Sequence, residues 1–206
     1  MKDACMKIKP YAKALVIAVA LSTTLGGCVA AIVGGAAVGG MSALDRRTTG
    51  AQTDDNVMEL RIQNNALIYL EKNNSVKGFT PKISVVSYNH EVLLMGQVAT
   101  PEDKVQVERI ARSEQAARAV YNYIDIAPQA RTFGNITNDS AITSKVRTTL
   151  LNMHGVYPGH VKVVTYAGVT YVMGLLTPTE QAIVTNKVST TAGVQKVVTL
   201  YEHYSK

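Results

Sequence analysis

The residues of this 206-residue chain that could do chemistry are few and scattered. Its histidines are His90, His154, His160 and His203. None stands at the i, i+3 or i+4 spacing that puts two imidazoles on one helix face, and none falls in an HExxH frame. Two cysteines, Cys5 and Cys28, exclude a disulfide-rich scaffold and a thiolate zinc site. Glu102 and Asp103 are adjacent carboxylates, but they follow Thr100-Pro101 at a helix start, where they complement the helix dipole. No serine lies in a nucleophile elbow, and the glycines near residue 35 neither follow a strand nor lead to Lys-Ser, as a phosphate loop requires. The expectation is a chain that is no enzyme, has no catalytic and no metal-ligating residues, and takes no small-molecule substrate.

Cys28 stands apart because of what precedes it. Lys2, Lys7, Lys9 and Lys13 form a basic start, Ala14 to Leu21 is an unbroken apolar run, and small and polar residues lead into Leu25-Gly26-Gly27-Cys28. That order describes an export signal over 1–27, and the apolar run is too short for an ordinary membrane span. The four residues ending at Cys28 resemble a bacterial lipobox. The resemblance implies that the Cys28 thiol receives diacylglycerol, that cleavage makes Cys28 the first mature residue, and that an N-acyl chain follows. These covalent lipids are the only non-protein groups expected. Four of the 21 Lys and Arg and one of the 15 Asp and Glu leave with the signal, so the net charge falls from +6 to +3. Val29-Ala30-Ala31 follows, without the Asp that would retain such a lipoprotein at the inner membrane, so the expected address is the outer membrane, lipid-anchored and facing the periplasm. Residues 28–53 are read as a lipidated Gly/Ala-rich tether whose last part, 45–53, is a polar linker.

The remainder repeats itself. Val92-Leu93-Leu94-Met95-Gly96 with Thr100-Pro101-Glu102 recurs as Thr170-Tyr171-Val172-Met173-Gly174 with Thr177-Pro178-Thr179-Glu180. Asp55, Met58, Ile62 and Ala66 match Asp139, Ile142, Val146 and Leu150, and residues 116–124 match 193–201. The order of blocks gives two domains, 54–126 and 137–206, joined by a linker over 127–136.

Each copy reads as helix, strand, strand, helix, strand. Asp55 and Asp139 are candidate N-caps, and the apolar residues after them recur on one helical face. Ile83, Val85 and Ser87 alternate, as do Val161, Val163 and Thr165, which is the pattern of half-buried strands. Tyr88-Asn89-His90 and Tyr166-Ala167-Gly168 are hairpin turns. Thr100-Pro101 and Thr177-Pro178 place a capping Thr before a Pro at the first helical position, and Glu180 completes a capping box with Thr177. The fold class expected is α+β: two tandem αββαβ sandwiches, each with two helices on a three-stranded mixed sheet. Domains of this size are near the lower limit for a free-standing core, so the copies are expected to pack together.

The pattern, the apolar-x-Gly after each hairpin and the Gly193-Val194-x-x-Val197 close resemble the BON domain. Two such units behind a lipobox, with Cys-Val-Ala-Ala after the signal, resemble the dual-BON outer-membrane lipoproteins of DolP type. The resemblance covers essentially the whole chain. It implies a non-enzymatic envelope role, with phospholipid-binding modules that maintain the outer-membrane barrier. Two departures are visible: Ala116 stands where the family usually has Gly, and Ala141 stands where related proteins can carry a membrane-dipping aromatic.

Charge divides the copies. Residues 54–126 hold eight basic and ten acidic side chains, net −2, whereas 137–206 hold six and three, net +3. The second copy is therefore the expected contact for an anionic phospholipid membrane. Its first helix places Ala141, Lys145 and Arg147 outward, with Leu151, Met153 and Tyr157 at and beyond its end, and these six are the expected lipid-binding residues. The alternative is a periplasmic adaptor that binds an envelope-assembly or division protein through the same surfaces. Nucleic acid is not expected as a partner of an exported protein, although the ten tyrosines could stack on bases in another setting.

The anchor assignment is tested with Cys28→Ala. One acyl chain holds a protein only marginally, and two or three hold it stably at about 0.8 kcal/mol per buried CH₂. The variant is expected to remain unprocessed or soluble and to incorporate no labelled fatty acid.

Overall fold

The computed structural model describes residues 45–74, 76–127 and 133–205, without the Phe133 side chain. The signal, Cys28 and the tether up to residue 44 lie outside the described residues, as do residues 128–132 of the expected linker.

The first domain consists of α1 (Thr49–Asn73), β1 (Lys82–Tyr88), β2 (Glu91–Val98), α2 (Pro101–Arg112) and β3 (Ala119–Ile126). The second repeats the order as α3 (Phe133–Leu151), β4 (Val161–Tyr166), β5 (Val169–Leu176), α4 (Pro178–Ser189) and β6 (Lys196–His203), with a short 3-10 turn at Pro158–His160 before β4. Both are αββαβ units, as the repeat predicts. Each sheet is mixed: β1 pairs antiparallel with β2 and β2 parallel with β3, and β4, β5 and β6 do the same. Gly96 and Gly174 fall at equivalent places, opposite Ile83 and Ile124 in one sheet and opposite Val161 and Tyr201 in the other.

The helical starts differ from the expectation. Thr48 caps α1 through its hydroxyl, which accepts the Ala51 amide at 3.1 Å, and α3 already begins at Phe133. Residues 49–53 and 133–136, read as linker, are therefore helix, and Asp55 and Asp139 sit inside their helices rather than at the caps. The caps of α2 and α4 are as expected, with Thr100 accepting from Asp103 and Thr177 and Glu180 closing a reciprocal box. The loop into β3 closes without glycine: Ala117 donates to the Glu114 carbonyl at 3.0 Å, as Val194 does to Thr191 at 3.1 Å.

One face of each sheet is covered by its own helices. Met58, Ile62, Ala66 and Leu70 of α1, with Val107 and Ala111 of α2, bury Val85, Val92, Leu94 and Ile124. Ile142, Val146 and Leu150 of α3, with Val184 and Val188 of α4, do the same for Val163, Val172 and Leu176. The opposite faces are apolar too, because successive strand residues alternate sides and both sets are large. They meet each other: Tyr88, Leu93 and Met95 pack with Tyr171, Met173 and Leu200 in one buried cluster. Each such side chain contributes about 2 kcal/mol relative to exposure, so parting the sheets would cost on the order of 10 kcal/mol.

Gly96 tests the strand geometry. Its φ is +147°, and a Cβ there would run into the Lys82 carbonyl oxygen and come within 2.9 Å of the Ile83 Cα, all backbone that cannot swing aside. Gly174 lacks the positive φ, and its nearest obstacle is the His160 carbonyl at 2.9 Å. Gly96→Ala is expected to cost about 3 kcal/mol or more, and Gly174→Ala less, as read from urea denaturation midpoints.

Candidate functional site

Asp55 and Asp139 hold the two hairpins. Asn89 and His90 have φ of 52° and 66°, and Ala167 and Gly168 have 52° and 77°, the left-handed pairs of a type I′ turn. Such a turn leaves adjacent amide protons pointing inward. Asp55 accepts those of Asn89 and His90 at 2.7 and 2.8 Å, and Asp139 accepts those of Ala167 and Gly168 at 2.8 and 3.1 Å. A carboxylate one and a half turns inside its helix reaches the turn, whereas one at the cap would not.

The same helix face satisfies the outer edge of the first strand. Gln63 bridges the Ile83 carbonyl and the Val85 amide, and Glu59 accepts the Ser87 amide. In the second copy the equivalent positions are Arg147, which donates to the Val163 carbonyl at 2.8 Å, and Thr143, which accepts the Thr165 amide at 2.9 Å. An exposed strand edge invites pairing with another chain, and these side chains occupy it. Arg147, expected on sequence at the lipid-facing edge, thus has its guanidinium engaged on β4.

Asp45, Arg46 and Arg47 cross the seam between the domains. Arg46 makes a bidentate pair with Glu180 at 2.7 Å on both oxygens, donates to the Leu175 carbonyl at 2.8 Å, and lies 4.2 Å over the Tyr204 ring. All three partners belong to the second domain. Arg47 turns the other way, donating to Asp55 at 2.9 Å and lying 4.2 Å over the Tyr88 ring in the first domain, with Asp45 holding its other nitrogens. Bidentate carboxylate pairing and stacking on aromatic faces are what guanidinium offers and ammonium does not. Further polar contacts line the seam: Tyr88 donates to the Gly159 carbonyl at 2.8 Å, Lys162 pairs with Glu59, and Arg118 pairs with Glu202. Burial pushes the Tyr88 phenol up, and pushes Tyr171, which meets Tyr123 edge-on at 4.9 Å, up to about 12. The hydrogen bonds from Arg46 hold Glu180 down at about 2.

Asp45 also fixes where the segment before α1 meets the second domain. It rests against Gly159, so closely that a Cβ on that glycine would lie 2.9 Å from it. Gly159 belongs to the 3-10 turn that follows α3 and Tyr157. The expected lipid-contact residues lie on this helix and loop. Ala141 and Lys145 are exposed, and Lys145 has no ion-pair partner among the described residues. Leu151 and Tyr157 are 57% and 45% exposed, large values for apolar side chains. Met153 is half-buried against the second core. The Tyr157 ring meets His160 edge-on at 5.3 Å, so His160 is a buried structural residue. Among the described residues no group of three or more His, Cys, Asp or Glu could hold a metal, and no helix is long and apolar enough to cross a membrane. Sequence reasoning missed the Asp45–Arg47 segment. Its only local signal is the two consecutive arginines in a stretch otherwise read as linker.

The BON domain family matches residues 68–128 and 138–200. The chain is 32% identical over 198 residues to the outer membrane lipoprotein DolP of Haemophilus influenzae, covering 96% of this chain and 99% of that protein. It is 32% identical over 155 residues to a 21 kDa hemolysin of Actinobacillus pleuropneumoniae, covering 75% and 77%. Among solved structures, the C-terminal domain of CdsD, the structural protein of the type III secretion system of Chlamydia trachomatis, aligns at 16% identity over 70% of this chain and 66% of that one, with a TM-score of 0.28.

The Arg46–Glu180 pair makes a pH prediction. Glu180 sits at about 2 folded against an ordinary 4.5, so its contribution is fully present above about 4.5 and is lost as pH falls through about 2. Arg46→Ala is expected to cost about 2 kcal/mol at neutral pH. Urea midpoints of wild type and variant should converge as pH falls across that window.

Proposed function

The chain belongs to the BON-domain family as a dual-BON protein of DolP type, and from that premise we propose that it is an acyl-anchored, non-enzymatic outer-membrane protein that rests its second domain on anionic phospholipid and so supports the integrity of that membrane. Cys28 carries the lipids in this reading. The periplasm is the compartment its domains occupy.

The observation that supports the contact surface is the position of Asp45 against Gly159. Sixteen residues lie between Cys28 and Asp45, at most about 60 Å of extended chain. The tether enters beside the loop that follows α3, and its reach is enough to let that loop and the end of α3 lie on the lipid surface. Leu151 and Tyr157 offer an exposed apolar side chain and an amphipathic ring of the kind that settles at the headgroup boundary. Met153 backs them, Lys145 supplies a free positive charge on the same helix, and Ala141 leaves the helix surface flat. Arg147 contributes its charge from the β4 edge. Each such charge near an anionic surface is worth about 1 kcal/mol, so the contact is weak alone and gains from the anchor's effective concentration.

The adaptor reading draws on the first domain. Leu60 and Ile68 of α1 are 57% and 64% exposed on a face turned away from the core, an apolar surface that could receive a protein. Lipid is preferred because its surface is the one adjoining the tether.

The test floats the signal-free chain carrying Cys28→Ser with phosphatidylglycerol or phosphatidylcholine vesicles. Binding is expected for the first, declining with salt over a Debye length of about 10 Å. Lys145→Glu combined with Tyr157→Asp should weaken it about tenfold or more. Equal binding to both lipids, or an unaffected variant, would contradict the lipid assignment. Arg147 is left in place because its substitution would also free the Val163 carbonyl.

A further inference from the structure

The opposite end of the domain pair carries a different surface. β1 begins there, α3 begins there and the β4–β5 hairpin turns there, so that Lys82, Ser84 and Gln97 of the first domain face Asp139 and Tyr166 of the second across a hollow of about 210 Å3. It adjoins a cleft of about 360 Å3 into which Gln97, Asn138 and Gln195 converge. The three carboxamides come from three elements: the end of β2, the second turn of α3 and the residue before β6. None has a side-chain hydrogen-bond partner among the described residues. Lys196 follows Gln195, level with Val169 of the hairpin, and Lys82 walls the adjoining hollow. Neither lysine is ion-paired among the described residues. The Asp139 carboxylate in the cleft wall is engaged by the hairpin amides.

The repeat provides an internal comparison. At the equivalent positions near the tether end stand Leu175 for Gln97, Asp54 for Asn138 and Arg118 for Gln195. There the polar groups are used within the protein: Asp54 meets His90 at 3.3 Å, Arg118 pairs with Glu202, and the Leu175 carbonyl takes Arg46. The fold therefore does not require free carboxamides at these three places.

We infer that this cleft binds an acidic glycan, a polymer of N-acetylated amino sugars bearing carboxylates. A carboxamide offers an acceptor oxygen and two donor protons at once, which matches sugar hydroxyls and acetamido groups. The free lysines supply the counter-charge for carboxylates. A phosphate would call for guanidinium forks, which the cleft lacks, and the lining of the cleft itself is polar, the apolar side chains Ile136 and Val164 lying in the adjoining hollow. Its size falls in the range of small-ligand sites, about 300–1,000 Å3. The site lies away from Asp45, so a chain held by its acylated end presents it away from the tether, and it does not depend on the lipid contact.

The acylated mature protein in zwitterionic detergent is titrated with N-acetylglucosaminyl-N-acetylmuramyl tetrapeptide while the side-chain NH₂ resonances are followed. Saturable binding that shifts Gln97, Asn138 and Gln195 is expected. A Gln97→Ala/Asn138→Ala/Gln195→Ala protein should bind about tenfold more weakly. Lys82→Glu/Lys196→Glu should weaken the acidic ligand yet spare neutral chitotetraose. Gln195→Glu, which keeps the size of the side chain and repels carboxylates, should act in the same direction if the triple variant melts early. No saturation by millimolar ligand, unaltered affinity in these variants, equal binding of the free tetrapeptide without sugar, or loss of phosphatidylglycerol binding in their place would each overturn the assignment.

Discussion

A three-stranded sheet has two faces, and two helices can cover only one. In each half of this chain the second face is built from large apolar side chains, among them Leu93 and Met95 in one copy and Tyr171 and Met173 in the other. Neither sheet can leave that face in water, so the copies must pair sheet to sheet, helices outward. The pairing fixes everything that follows: which ends of the two domains coincide, which side chains meet at the seam, and where the segment before the first helix enters.

At one end the seam is closed by charge. Arg46 belongs to the second domain by its contacts and Arg47 to the first, although they are adjacent in sequence. Two neighbouring residues with opposed allegiances hold the two domains in one geometry, with Asp45 resting beside Gly159 in the loop after α3. At the other end the positions equivalent to Leu175, Asp54 and Arg118 hold Gln97, Asn138 and Gln195, whose carboxamides have no hydrogen-bond partner among the described residues. The two ends of a duplicated fold thus differ at these three positions.

Much of this was legible in the sequence because it is local or periodic. The apolar stripes of α1 and α3, the Thr-Pro starts of α2 and α4, the hairpins and the paired glycines all read directly from spacing, and the duplication multiplied their weight. What was not legible depends on distance along the chain. Arg46 finds Glu180 across 134 positions, and no local pattern distinguishes that segment from a polar linker. Asp55 and Asp139 looked like caps because a carboxylate before an apolar helix usually is one; only the folded hairpin reveals two amide protons waiting for each. Arg147 looked like a surface charge because the strand edge it satisfies is not visible until β4 is placed beside α3. Lys145 on α3, Leu151 at its end and Tyr157 in the loop beyond it are, by contrast, exposed.

In the proposed arrangement the tether lays the end of α3 and its loop on the lipid. The most direct measurement places a paramagnetic headgroup lipid in phosphatidylglycerol nanodiscs holding the acylated protein and reads the broadening of each amide. The strongest broadening is expected at Leu151 to Tyr157 and along the Ala141–Lys145 face, with Lys82 and Gln195 sharp. Broadening centred on Leu60 and Ile68 of α1, or on the carboxamide cleft, would contradict it.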